Sequence, residues 1–283
     1  MLPPIPFAPI RSSLYSPATL MSGLEAGDFK SFARTTDFRC FEYFVEPGKI
    51  APNDALAGIL EALHDKSITQ APLAFLSTAS RVAAIMGGHD EPRDSPTYAA
   101  VARMARVLTR QGFLMASGGG PGAMEATHLG ASLASQPDDA LPEALRRLSH
   151  RHAALPPDAS KVITPRGKID NRVLRKLHAW LTPAYTISQA IKRSGESLAV
   201  PTWYYGHEPT SPFATHIAKY FQNSLREDGL ITLAAHGIIF AQGKAGTLQE
   251  IFQDGVRNYY RSEEDPFSPM VFFGKHIGRA RCM

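Results

Sequence analysis

The apolar and polar positions of the 283-residue chain change rhythm near residue 80. Before that point the pattern is mixed. Residues 39 to 45, RCFEYFV, alternate like a strand, whereas NDALAGILEALHD (53 to 65) repeats its apolar positions at helical spacing with Asn53 or Asp54 as N-cap. Residues 1–70 therefore read as an N-terminal extension or small subdomain, with no function legible in them.

From residue 80 short apolar runs alternate with helical patterns. RVAAIMG (81 to 87) is a buried strand ending in glycine, and Pro96 starts a helix whose apolar face is Tyr98, Val101, Met104, Ala105 and Leu108, with Gly112 as its stop. FLMAS (113 to 117) is a second strand, and residues 118 to 134 are a glycine loop running into a helix. Residues 135 to 160, rich in Pro, Asp and Ala, predict helix and loop decorating the core. LAVPTWYYG (198 to 206) is a third strand whose Pro201 marks an edge or a break, followed by a long helix from Pro212 to about Asp228-Gly229. GIIFAQ (237 to 242) is a fourth strand, a helix starts at Gly246, and PMVFFG (269 to 274) is a fifth.

This alternation predicts an α/β fold, a doubly wound, mainly parallel Rossmann-like sheet over residues 71–283 with an insert at about 135–195. Ligands of such sheets bind beyond the carboxyl ends of the strands, where both glycine-rich loops of this chain lie. A covering helix would normally follow the last strand. The N-terminal extension or a partner subunit is expected to take its place.

Composition narrows the class. Hydrophobic residues make up 44% and charged residues 20%, the balance of a globular protein. The net charge of +4 and a pI near 9.1 favour anionic ligands, but no basic run or helix concentrates that charge, so nucleic acid is not an expected partner. Cys40 and Cys282 form no framework and fit a reducing cytoplasm. The proline-rich start MLPPIPFAPI does not suit a signal peptide, and no apolar run reaches the roughly 18 residues that span a membrane.

The two glycine loops carry the candidate chemistry. In SGGGPGAME, Gly118, Gly119, Gly120 and Gly122 let a ligand approach the backbone, and Pro121 suits a first helical turn whose free N–H groups attract phosphate. Gly118, Gly120 and Ala123 also satisfy the dinucleotide fingerprint, but the loop follows the second strand of the series rather than the first. No strand ending in an acidic residue follows about 20 residues later, so an oxidoreductase is a minor alternative. Neither a P-loop nor a G-x-S-x-G elbow is present. The second loop, QGKAGTLQE, repeats the device: Gly243 and Gly246 flank Lys244, and Thr247 offers an N–H and a hydroxyl to phosphate. Two such helix starts on one sheet edge suggest a nucleotide or sugar phosphate. Glu250 has a competing local reading, because Thr247-x-x-Glu250 is also a capping box. His89, Asp90, Glu91 and Asp94 cluster without a recognised metal-ligand spacing.

In this order and spacing the loops resemble the LOG family, once labelled lysine decarboxylases, and the wider group of nucleotide 5′-monophosphate nucleosidases. SGGGPGAMEA (117 to 126) is nearly the family's first signature, and QGKAGTLQE (242 to 250) matches the second, PGGxGTxxE, with Gln242 for proline and Lys244 for glycine. VAAIMGGHDEPRDSPTYAAVARMARVLTRQG (82 to 112) resembles the family's opening strand, loop, tyrosine and helix. The likeness spans about residues 80 to 275, apart from the insert.

The resemblance implies a hydrolase that cleaves the N-glycosidic bond of a nucleoside monophosphate to free base and ribose 5-phosphate, with no metal or cofactor, acting as a homo-oligomer. It implies Glu250 and, after a one-residue adjustment from Glu227, Arg226 as the active pair. It also places Gly87, Gly118, Gly119, Gly120, Gly122, Met124, Glu125, Gly243, Lys244, Gly246 and Thr247 around the nucleotide. Activation of isopentenyl-AMP uses the same bond and residues. The two changed positions of the second motif leave a non-catalytic nucleotide sensor as the alternative.

Overall fold

The computed structural model describes residues 4–45, 54–76, 81–262 and 267–274. Strands β1 (Val82–Met86), β2 (Leu114–Ser117), β3 (Ser197–Ala199), β4 (His216–Ile217), β5 (Ile238–Phe240) and β6 (Met270–Phe272) form one sheet in the order β4-β3-β2-β1-β5-β6, with every pairing parallel. The order runs outward from β1 in both directions. The fold is thus α/β, doubly wound and Rossmann-like, with its reversal of strand order between β1 and β5, where Met86 lies opposite Phe240.

The helices are α1 (Pro17–Leu20), α2 (Phe29–Arg34), α3 (Thr36–Val45), α4 (Ala55–Leu76), α5 (Pro96–Arg110), α6 (Ala123–Ser132), α7 (Ala140–Ser149), α8 (Asn171–Ala190), α9 (Asn223–Leu233) and α10 (Ala245–Tyr260). Alternation along β1 divides the core. Ala83 and Ile85 face α5, α6 and α7, which bury Val101, Ala105, Leu129 and Leu148. Val82, Ala84 and Met86 share the other face with Leu177 and Trp180 of α8, Leu230 of α9 and the N-terminal aromatics Phe32, Phe38 and Phe41.

The N-terminal extension is therefore a layer over the sheet's own core, and it is fastened by buried polar contacts. Lys219 Nζ donates to Asp37 Oδ1 (2.6 Å) and Thr210 Oγ1 (2.7 Å), and Trp203 Nε1 donates to the same aspartate oxygen (3.1 Å). Asp65 of α4 accepts the backbone N–H groups of Phe221 (3.0 Å) and Gln222 (2.9 Å), immediately before α9. Burying these charges is tolerable because each is paired and hydrogen-bonded.

Several elements differ from the sequence pattern. Residues 39 to 45 belong to a helix: Phe38, Phe41 and Phe44 recur every third residue and are all buried, and that periodicity overrides the short alternation. Asp54 caps α4 through Leu56 N–H (2.8 Å), while Asn53 lies outside the described residues. The third strand stops at Ala199, two residues before Pro201, whose ring nitrogen has no hydrogen to give a ladder. No helix starts at Pro212. That stretch contains β4, and α9 begins at Asn223 and continues through Gly229. Within residues 135 to 160, α7 buries Leu141, Ala144 and Leu148 in the core, and later in the insert the fully buried Trp180 of α8 lies beneath the sheet. Among the described residues, the extension does not cover β6. It runs along the opposite edge, where Tyr15 pairs with Ile217 of β4, and Val271, Phe272, Tyr259 and Tyr260 are all exposed. Among the described residues no helix is long and apolar enough to cross a membrane.

Candidate active site

Where β1 and β5 diverge, their following chains leave for opposite faces and open a crevice. The cleft there has a volume of about 260 Å³, near the small end of ligand pockets, which run from roughly 300 Å³ upward. The carboxyl end of β1 contributes Gly87, Gly88, His89 and Asp90; α6 contributes Met124; α9 contributes Arg226 and Glu227; and the start of α10 contributes Lys244, Gly246, Thr247 and Glu250. Tyr205 and Glu208, from the chain after β3, complete the wall. A recess beside it is bounded by Gly118, Gly120, Pro201 and Thr202 and shares Met124, Tyr205, Glu208 and Arg226. A larger cavity of about 470 Å³, between the N-terminal helices and the start of α9, has none of these glycine-lined strand ends.

The two strand ends are bound to each other. Gly88 N–H donates to Gln242 O (2.9 Å), and Ala123 N–H donates to Gly88 O (3.1 Å), so β1, β5 and α6 meet through backbone. Such closeness requires glycine at two positions. Gly122, the N-cap of α6, has φ 70° and ψ −133°, and a Cβ there would stand 2.3 Å from Gly88 O. A Cβ on Gly243 would meet Thr247 Oγ1 at 2.1 Å. Gly119, at φ 77°, turns against Ala199 and Pro201. The helix starts consequently differ. Neither has a side-chain cap, but that of α6 is buried with its Ala123 N–H already taken, whereas Ala245 and Gly246 at the start of α10 are exposed.

Register excludes the capping-box reading of Glu250. Lys244 is the N-cap of α10, which makes Thr247 the third helical residue and Glu250 the sixth, so the capping box has no geometry to form. Glu250 faces α9 instead, with its Oε1 3.7 Å from Arg226 Nη1. Arg226 is steadied by Asn223 Oδ1, which accepts from its Nε (3.3 Å) and Nη2 (3.1 Å), and by Glu227 Oε1 at 3.4 Å. Glu227 is held in turn by Asn223 Nδ2 (2.8 Å) and Gln249 Nε2 (2.8 Å). Burial pushes the Glu250 carboxyl up to about 7; Arg226 pulls it down and Glu227 raises it further. A carboxyl poised near neutrality beside a fixed guanidinium suits proton transfer at an anionic substrate.

Glu125 stands apart from the other sequence-predicted residues. Arg93 Nε and Nη2 donate to its two oxygens at 2.7 Å each, Tyr98 donates to Oε1 at 2.7 Å, and the carboxylate is fully buried away from the cleft. Its place in the first turn of α6 also suits the helix dipole. Its role is to fix α6. Lys244 Nζ pairs with Asp90 Oδ2 at 2.7 Å across the exposed mouth, linking the loops after β1 and β5. Among the described residues no group of three or more His, Cys, Asp or Glu side chains could hold a metal ion.

Glu208 and Tyr205 escaped the sequence reading. Neither belongs to a glycine motif, yet both follow the third strand's carboxyl end, the position that drew attention to the other two loops. Compared with protein-family models and with curated proteins, the chain matches none.

Proposed function

We propose that the protein is a nucleosidase that hydrolyses the N-glycosidic bond of nucleoside 5′-monophosphates to free base and ribose 5-phosphate. The observation that carries this reading is the Arg226–Glu250 pair, 3.7 Å apart, inside the crevice where two glycine-lined strand ends meet. The open N-terminus of α10, with Gly246, Thr247 and the nearby Lys244, suits the phosphate. Arg226 holds the ribose. Glu250, as an anion, stabilises the oxocarbenium-like ribose and takes a proton from the attacking water. Phosphate binding remote from the reacting bond orients the sugar.

Incubation with AMP, GMP, CMP, UMP and IMP, with free base followed by chromatography, tests the reading directly, and release from none of them overturns it. Since Glu250 must be ionised to act, kcat/KM is expected to rise about tenfold per pH unit as the pH approaches its pKa of about 7 from below. A profile unchanged between about pH 5 and 8 removes the carboxylate from the mechanism.

A nucleotide-binding protein without turnover is the second reading, favoured by the Lys244–Asp90 bridge across the mouth. Its signature is a melting temperature raised by nucleoside monophosphate while no base appears. Assembly into a homo-oligomer is part of the first reading. It is supported by the exposed apolar residues Phe252, Val256 and Tyr259 along α10 and Val271 on β6.

A further inference from the structure

Most buried carboxylates described above are committed to partners. Asp37 receives Lys219 and Trp203, Asp65 receives two backbone N–H groups, and Glu125 receives Arg93 and Tyr98. Glu208 is different. Its side chain is only 11% exposed and lines both the cleft and the recess, and its nearest paired groups are His89 Nδ1 and His207 Nε2, each 3.9 Å from Oε1, beyond hydrogen-bond distance. A Cβ on Gly120 would stand 3.0 Å from Met124 Cε and 3.3 Å from Glu208 Oε2, and one on Gly118 would stand 2.5 Å from Met124 Sδ and 3.6 Å from Arg226 Nη1. The flexible Met124 side chain thus lies on the glycine loop, with Arg226 and Glu208 on the wall of the same cleft. An uncommitted carboxyl in a shielded cleft is available to a ligand.

We propose that Glu208 is the general acid of the reaction, a second catalytic carboxyl that protonates the departing nucleobase while Glu250 serves the water. This rests on the nucleosidase reading. With phosphate at the start of α10 and ribose at Arg226 and Glu250, the base extends through the cleft past Met124 to Glu208. As the C1′–N bond breaks, its electron pair passes to the base, and the Glu208 proton is delivered to a base ring nitrogen or carbonyl oxygen. Water oxygen forms the new bond to C1′ and its proton goes to Glu250. Exchange with solvent then returns a proton to Glu208 and removes one from Glu250, so nucleotide and water become base and ribose 5-phosphate.

Burial raises the Glu208 carboxyl above its ordinary range, toward the neutral form a donor needs. Asp90 raises it further, and His89, Arg226 and Lys219 oppose the shift. Two carboxyls in one cleft, one donating and one accepting, is the division of labour seen when glycosidic bonds are cut.

The test compares wild type, Glu208→Gln and Glu208→Asp on two substrates. One is whichever monophosphate of the panel the wild type turns over fastest. The other is p-nitrophenyl riboside 5-phosphate, whose phenolate leaves without a proton. Glu208→Gln is expected to slow the nucleotide about 10²–10⁴-fold and the nitrophenyl substrate less than about 3-fold, with Glu208→Asp retaining more nucleotide activity than the amide. Equal losses on both substrates, or none on either, overturn the assignment while leaving the nucleosidase reading intact. A wild type inactive on every substrate overturns that reading and this one together. The nitrophenyl reaction also reports folding, since a misfolded variant loses both activities.

Discussion

Base release is expected to fall about 10²- to 10⁴-fold when Glu250 becomes glutamine, with the fold retained. The amide is nearly isosteric and keeps an acceptor for Arg226, so α9 and α10 stay in place, but it has no charge to offer the oxocarbenium-like ribose and cannot take a proton from water. Stability is expected to hold or rise, because burial already disfavours the anion, as its raised pKa shows. Single-turnover base release and a melting curve measure both effects. A Glu250→Gln protein with wild-type turnover removes Glu250 from the chemistry.

The opposite outcome is expected at Glu125, in the neighbouring signature. Truncation to alanine leaves Arg93 buried, stacked 3.8 Å over the Trp180 ring and still donating to Trp180 O (2.7 Å), but without its counter-charge. Loss of one partner from a buried ion pair costs about 3–5 kcal/mol. Tyr98 loses its acceptor as well. Urea unfolding of Glu125→Ala should show a loss of this size, while the molecules that remain folded keep the Arg226–Glu250 pair. A loss below about 1 kcal/mol, the range of exposed pairs, contradicts the account of Glu125 as the anchor of α6. Two glutamates in neighbouring glycine loops are thus expected to separate cleanly, Glu250→Gln affecting base release and Glu125→Ala affecting stability.

The parts of this fold that were legible in the sequence share a physical cause. β1, β2, β5 and β6 are short apolar runs bounded by glycine or proline, and their order with the helices between them fixes a parallel sheet. β4 is two residues long, and a pattern needs more than one period to be read. α3 is an aromatic run that fits two periodicities, and only packing against Trp203 and its neighbours chooses between them. α8 carries Pro183 within it, a residue that usually argues for a helix boundary. At the site, Glu250 and Arg226 were reached through motif spacing. Glu208 depends on β3 lying next to β2, which no local pattern records. Glu125 shows the reverse, a motif position whose partner Arg93 lies 32 residues earlier in sequence.

The clasp of Asp65 on the backbone ahead of α9 bears on how the molecule can be divided. Both glycine signatures lie downstream of residue 80, and a boundary drawn around them looks natural. Yet the arginine between them sits on a helix whose first residues are held by a carboxylate from α4, and the wall bearing Glu208 follows Trp203, which is tied to α3 through Asp37. Trimming the chain to its recognisable motifs would keep the two glycine loops and discard the scaffold that holds Arg226 and Glu208 in the cleft wall. The smallest piece that can hold the cleft together is larger than the smallest piece that can be recognised.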